Sequence, residues 1–179
     1  ERLVTALHYR SPTELRHMLD QAFSTDTPFD KAVDLGCGTG LSGEAFRSCA
    51  THLIGVDLSD NMIQQAKEKK VYDQLSAEDL IGFLNRSDEQ FDLFIATDVL
   101  VYIGNLEALF DGVLRCAEPK AYFLFSVEKL EEGDFTLRRT GRYAHSRVYI
   151  ETLARRFGFN IEALEDTVVR MENEVAIPG

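Results

Sequence analysis

Short, continuous apolar runs alternate along the chain with segments whose apolar residues recur at helical spacing. The first helical segment runs from Pro12 to Phe23, with Leu15, Met18, Leu19, Ala22 and Phe23 on one face. Ser11 suits its N-cap and Pro12 its first helical position. After a turn at Pro28, Lys31 to Leu35 reads as a strand, followed by a glycine-rich turn and a helix from Leu41 to Cys49. His52 to Asp57 is a second strand. Ser59 then caps a helix over Asp60–Lys69, with Met62, Ile63 and Ala66 on its inner face.

A weak third strand is expected around Val71–Leu75, and Ala77-Glu78-Asp79 opens a short helix carrying Leu80, Ile81, Phe83 and Leu84. Phe91 to Thr97 is apolar almost throughout, as in a central parallel strand buried on both faces. A helix over Asn105–Cys116 and a turn at Glu118-Pro119-Lys120 lead to a strand over Ala121–Val127. Glu128 to Gly141 reads as a long polar connection. Tyr149–Phe157 is helical and stops at Gly158, and one last strand lies around Ile161–Met171.

Strands alternating with helices mean βαβ units. The expectation is one α/β domain over residues 1–179, a doubly wound, mostly parallel sheet. Residues 1–27 form an N-terminal helix and lid, 31–127 a cofactor-binding core, and 128–179 an acceptor-side segment with the last helix and strand.

Composition adds limits. With 45% hydrophobic and 27% charged residues the chain is ordinary globular material, and no apolar run approaches a membrane span. The N-terminus has no secretory apolar core and no initiator Met, so the chain reads as an excerpt or a processed product. Cys37, Cys49 and Cys116 show no metal spacing, so no metal site is expected, and their sparse, odd number suits a reduced, cytoplasmic setting. The net charge of −11 opposes nucleic acid and anionic membranes as partners.

The chemistry centres on Val33-Asp34-Leu35-Gly36-Cys37-Gly38-Thr39-Gly40. Glycine tolerates φ > 0 and has no Cβ, so such a turn bends sharply and brings backbone against a ligand. Free N–H groups at the next helix suit polar or anionic ligand groups. Asp57, at the end of the second strand and about twenty residues on, suits ribose hydroxyls. A dinucleotide site calls for G-x-G-x-x-G. Here Leu41 stands where its third glycine would be.

The chain resembles the class I S-adenosylmethionine-dependent methyltransferases. The resemblance rests on Asp34–Gly40, Gly55-Val56-Asp57-Leu58-Ser59 with Met62, Ala77-Glu78-Asp79-Leu80, and Phe91-Asp92-Leu93 leading to Thr97-Asp98-Val99-Leu100. It covers about Phe29 to Val127. More narrowly, Asp98-Val99-Leu100-Val101-Tyr102-Ile103 and Gly141-Arg142-Tyr143-Ala144-His145-Ser146 resemble methyltransferase domains that stand alone or accompany tetratricopeptide repeats. The repeats themselves are absent from the sequence.

The resemblance implies S-adenosyl-L-methionine as cofactor. Gly36, Gly38 and Gly40 would let backbone approach its methionyl part and ribose. Asp34 would orient the turn or face the amino group. Asp57 would hold the ribose hydroxyls, and Leu58 and Met62 would sandwich the adenine, Met62 serving equally as helix core. Asp79 would accept from the adenine amino group, with Glu78 as the alternative. Thr97 and Asp98 would lie beside the sulfonium, and Tyr9 would be a lid over the methionyl end.

Phe135 to Ile150 contains Arg138, Arg139, Arg142, Arg147 and His145 and no acid. In the family this region commonly covers the acceptor pocket. Arg142 and Arg147 there would bind an acidic acceptor bidentately; the alternative is that the arginines balance Glu128, Glu131, Glu132 and Asp134. Tyr102 and Tyr143 either shape the acceptor pocket or pack in the core. His145, Asp98 and Tyr102 are the candidates for catalysis, with His145 either a general base or structural. The family fold ends in an antiparallel hairpin, of which the sequence offers one strand only. The expectation is a methyltransferase acting on a small-molecule acceptor; a protein acceptor or a non-catalytic binding module are the alternatives.

Overall fold

Strand β1 (Phe29–Leu35) is the axis of the molecule. It pairs in parallel with β2 (Ala50–Asp57) on one side and β4 (Phe91–Ala96) on the other. β3 (Gln74–Ala77) adds to β2 and β5 (Ala117–Phe125) to β4, which gives a five-stranded parallel sheet in the order β3-β2-β1-β4-β5. The computed structural model describes residues 11–22, 28–172 and 175–179. Asp92 fixes the start of β1 against β4, accepting the backbone N–H of Asp30 at 2.6 Å and of Lys31 at 3.0 Å.

Both faces of the sheet are covered, as the continuous apolar runs require. Leu15 and Leu19 of α1 (Ser11–Ala22) and Phe46 of α2 (Leu41–Phe46) pack with Ala32, Leu53, Leu93 and Ile95. On the opposite face, α4 (Leu80–Arg86), α5 (Glu107–Cys116) and α6 (Arg147–Phe157) pack on Val33, Ile54, Val56 and Phe94. Each such fully buried side chain contributes about 1.5–3 kcal/mol. α3 (Asp60–Lys69) closes the β2–β3 end with Ile63 and Ala66. This is the doubly wound α/β architecture that the alternation predicts.

Local punctuation agrees with local chemistry. Ser59 caps α3, Asp79 caps α4, Ser146 caps α6, and Gly158 ends α6 in the left-handed region at φ 78°. At the start of α5 the Asn105 Oδ1 accepts the Glu107 N–H at 2.9 Å, and a second partner comes from far along the chain. Tyr149 of α6 supplies it: its Oη accepts the Leu106 N–H at 2.9 Å.

The structure corrects several boundaries. Met62 is not on the inner face of α3: it is exposed, and Ile63 and Ala66 alone are buried. The third strand begins at Gln74 because Tyr72 turns inward to a polar partner. Glu118-Pro119-Lys120 does not precede the fifth strand but interrupts it: Pro119 has no N–H for the ladder, Lys120 takes φ 71°, and the β4–β5 register shifts there.

The region read as a polar connection contains β6 (Glu128–Leu130) and β7 (Phe135–Leu137), which flank β8 (Tyr143–Ser146) in a separate three-stranded sheet. The single final strand is two, β9 (Val168–Glu172) and β10 (Val175–Pro178), paired antiparallel with each other and joined to neither sheet. The expected strand, Ile161–Met171, overlaps β9 only in its last residues, and β10 lies beyond it. Among the described residues, no helix is long and apolar enough to cross a membrane.

Candidate active site

The glycine turn leaves β1 and folds back on the end of β2. Gly36 N–H and Cys37 N–H both donate to the Val56 carbonyl, at 2.8 and 2.9 Å. Gly36, Gly38 and Gly40 take φ of 77°, 51° and 88°, the left-handed region that glycine alone enters without cost. Their surroundings differ. A Cβ on Gly36 would stand 2.6 Å from the Val99 Cβ, whereas one on Gly38 would meet no atom within 4 Å. Gly36 is thus glycine for packing, and Gly38 is the point where backbone faces open space.

Asp57 organises the rim. One carboxylate oxygen accepts the Gly38 N–H at 2.9 Å and the other accepts the Ser59 N–H at 2.9 Å. Each oxygen keeps a lone pair for a ligand hydroxyl. Beside it Leu58 is 76% exposed and Met62 is exposed on the first turn of α3, two apolar side chains uncovered at the same rim.

Glu78 and Asp79 differ in their partners. Glu78 gives both oxygens to Arg86, with Ser76 also donating to it, and Arg86 holds its carboxyl below the usual range. Asp79 spends one oxygen on the Gly82 N–H at 2.7 Å, and among the described residues the other takes no partner. Asp79 is therefore the acid free to meet a ligand.

Asp34 is completely buried at the end of β1. Tyr72 Oη donates to its Oδ2 at 2.6 Å, while Oδ1 is buried with no hydrogen-bond partner among the described residues. Burial, opposed by the Tyr72 hydrogen bond and reinforced by nearby Asp57, pushes its pKa up to about 7. Tyr72 did not stand out in the sequence, and Val99 did so only as part of a family stretch. The one signal for Tyr72 was an aromatic ring after a charged helix end, Lys67-Glu68-Lys69-Lys70.

β4 delivers the opposite wall. Thr97 is buried and hydrogen-bonds Ser42 at the start of α2, tying the two walls together. Asp98 takes φ 56°, and its N–H donates to Ser126 Oγ at 2.9 Å. A non-glycine residue there costs on the order of 1–3 kcal/mol. A 3₁₀ turn, Leu100–Tyr102, then presents the Tyr102 ring, 63% exposed, under the Arg142 guanidinium, 6.0 Å from the ring centroid. Tyr143 packs edge-on to Phe135 and against Gly104, where a Cβ would stand 2.7 Å from its ring.

The arginine-rich segment does not act as one cluster. Arg138 and Arg142 converge on the buried Glu128 carboxylate, at 3.5 and 4.0 Å. Arg142 Nη1 is buried and makes no hydrogen bond among the described residues. Arg147 points elsewhere, pairing with Asp166 at 3.1 Å, so it does not join Tyr102, Arg142 and Tyr143.

His145 is 1% exposed, stacked on Tyr149, with Nε2 donating to the Ile103 and Gly104 carbonyls at 2.9 and 3.0 Å. Burial pushes its pKa down. These contacts support the structural alternative for His145. Tyr9, the expected lid, lies outside the described residues. Among the described residues, no group of three His, Cys, Asp or Glu is placed to hold a metal.

The residues present fit S-adenosylmethionine on their own geometry. Gly38 faces open space, Asp57 offers paired acceptors, Leu58 and Met62 are uncovered beside it, and an orphaned Asp34 oxygen waits for a donor. Comparison with known proteins agrees. A family profile described as "Methyltransferase domain" matches residues 6–164. The chain belongs to that family.

Among curated relatives, it is 29% identical over 120 residues to the 18S rRNA (guanine-N(7))-methyltransferase of Arabidopsis thaliana, covering 60% of this chain and 42% of that one. It is also 29% identical over 104 residues to the ubiquinone biosynthesis O-methyltransferase of Methylococcus capsulatus, covering 54% and 43%. The chain thus spans less than half the length of these two relatives. Among solved structures, an S-adenosylmethionine-dependent methyltransferase from Clostridium acetobutylicum superposes with a TM-score of 0.67 at 16% identity, covering 95% of this chain and 89% of that one. The fold is the class I methyltransferase fold.

Proposed function

We propose that this protein transfers a methyl group from S-adenosylmethionine to a small-molecule acceptor. When bound, the cofactor supplies a methyl on an already activated sulfonium, which an acceptor nucleophile displaces in line. The protein's own task is alignment and exclusion of water. The Asp57 rim and glycine turn hold one reactant. The wall from Asp98 to Tyr102 faces the other, and the Ser42–Thr97 bond keeps the walls in register.

The observation that carries the small-molecule reading is the Tyr102–Arg142–Tyr143 group. An exposed aromatic face with a guanidinium above it and a second tyrosine close by suits one planar acceptor bearing an acidic group. Arg138 is turned inward to Glu128, and Arg147 is paired with Asp166. That leaves few of the segment's cations for a phosphate backbone, in a chain of net charge −11. The rRNA methyltransferase relative and the ubiquinone-pathway relative illustrate the two acceptor classes.

The experiment is methyl-label transfer from S-adenosylmethionine to separate metabolite, RNA and protein fractions. Label in the metabolite fraction, reduced at least about tenfold by Asp57→Ala, supports the reading. Label only in RNA or protein, or in none, overturns it.

A further inference from the structure

A polar chain under the glycine turn runs from Asp34 to two residues with no role assigned so far, Tyr72 and Gly43. The Gly43 N–H donates to Tyr72 Oη at 3.0 Å, and Tyr72 Oη lies 2.6 Å from Asp34 Oδ2. The direction is fixed: the backbone N–H can only donate, so the tyrosine oxygen accepts there and its proton points to Asp34. Burial and the facing Asp34 push the Tyr72 pKa far up, so the hydroxyl never ionises and remains a donor.

The fold makes room for this side chain at three places. A Cβ on Gly43 would stand 2.5 Å from Tyr72 Oη, one on Gly55 3.0 Å from its ring, and one on Gly40 3.2 Å from its ring. One of these glycines belongs to the cofactor turn itself.

We propose that Tyr72 is a positioning residue of the cofactor site, acting through Asp34. It holds the carboxylate by one oxygen, stabilises its ionised form, and leaves Oδ1 for the cofactor's ammonium. The proposal rests on the S-adenosylmethionine reading above. It goes beyond it by making cofactor affinity depend on the ionisation of Asp34 and by giving control of that ionisation to Tyr72.

Among the described residues, the groups around Asp34 are already engaged. The Asp57 carboxylate on β2 already accepts the Gly38 and Ser59 N–H groups. The Cys37 thiol in the turn is pushed far up by burial and stays protonated. Lys69 of α3 pairs with Glu44 of α2 at 2.7 Å, and Asp73, beside Tyr72, pairs with Arg47 at 2.6 Å. β4 places Ile95 opposite Asp34, and its one acid, Asp92, accepts from Asp30 and Lys31 at the other end of β1. Asp34 is therefore the group whose charge changes as a cationic ligand arrives, with its pKa held at about 7 before binding.

The test is calorimetric titration of the whole chain with S-adenosylhomocysteine, which carries the ammonium, from pH 6 to 8.5. If only ionised Asp34 binds productively, affinity rises about tenfold across this range. Tyr72→Phe removes a charge-assisted hydrogen bond and shifts the midpoint up by about one pH unit. The variant then binds about five- to tenfold more weakly at pH 6.5–7 but within about twofold of the parent at pH 8.5.

A loss by the same factor at every pH would reduce Tyr72 to packing and overturn the proposal. Asp34→Asn should bind with no pH dependence in this window, and persistence of the slope would also overturn it. Thermal unfolding of ligand-free Tyr72→Phe establishes that the variant folds. No binding by the parent protein at any pH would instead remove the cofactor reading, an outcome distinct from either.

Discussion

The side chain of Val99 occupies the place where a Cβ on Gly36 would stand, 2.6 Å from the Val99 Cβ. The turn leaving β1 and the turn leaving β4 are thus in direct contact. Gly36→Ala should combine left-handed strain, about 1–2 kcal/mol, with overpacking of about 1–3 kcal/mol. Val99→Gly in the same chain, which removes the Cβ as well as both Cγ atoms, should return most of the packing part and leave the backbone part. Urea unfolding of both singles and the double variant measures that coupling; strictly additive losses would contradict the contact.

Gly38 is the counter-case. Its added Cβ meets nothing in the protein, and its φ of 51° is one that other residues tolerate at modest cost. Gly38→Ala should lower stability by only about 1 kcal/mol while weakening S-adenosylhomocysteine at least about tenfold, because the new methyl occupies ligand space. Equal effects on folding and on binding would count against this position as the contact point.

Leu58 is 76% exposed, so Leu58→Ala should change stability by less than about 0.5 kcal/mol. If its side chain covers the adenine, affinity for the cofactor should fall about fivefold, close to 1 kcal/mol. Calorimetry and a melting curve on one variant suffice, and unchanged affinity would remove Leu58 from the site.

Glu128 is 1% exposed between Arg138 and Arg142. Glu128→Ala leaves two guanidiniums without the carboxylate that joins them. The expected loss is about 3 kcal/mol, the low end for a broken buried pair because both arginines retain solvent. The denaturation midpoint reports it, and a loss below about 1 kcal/mol would show the cluster to be surface-like.

His145 makes a pH prediction. Burial holds its folded pKa below the unfolded value of about 6.5. Protons then favour the unfolded chain, so its contribution is complete above about pH 6.5 and is lost as the pH falls below that value. His145→Gln, which still offers a donor to the two carbonyls, should flatten the fall in stability between pH 7 and 5. An unchanged slope would mean that His145 is not the titrating group.

Much of this was readable from the chain because its causes are local. Ser59, Asp79 and Ser146 cap helices that begin within three residues of them. The glycine turn and Asp57 carry their chemistry in short stretches, and β4 declares its burial by apolar residues alone. What escaped depends on contacts distant in sequence. Tyr72 finds Asp34 38 residues away, and Tyr149 caps a helix start 43 residues before it. Of the two readings of Arg138 and Arg142, an acceptor patch or a balance for nearby acids that include Glu128, the structure supports the second for this pair. β6 to β8 are short and mostly polar, so their pairing leaves no apolar rhythm. Met62 fits the helical period of α3, but period alone does not say where the stripe ends.

The space around Tyr72 has a consequence for how this sequence can change over time. A Cβ on Gly43 would stand 2.5 Å from the Tyr72 hydroxyl, so Gly43 cannot gain a side chain while the tyrosine stays, whereas Gly40 and Gly55, at 3.2 and 3.0 Å from the ring, need it only to give way slightly. Shrinking the tyrosine first would open a void beneath the turn. Gly43 and Tyr72 can diverge only together, through intermediates worse than either end point. In a set of diverging relatives they should therefore change as a block, whereas Leu58 and Met62, bound by no such neighbour, drift singly.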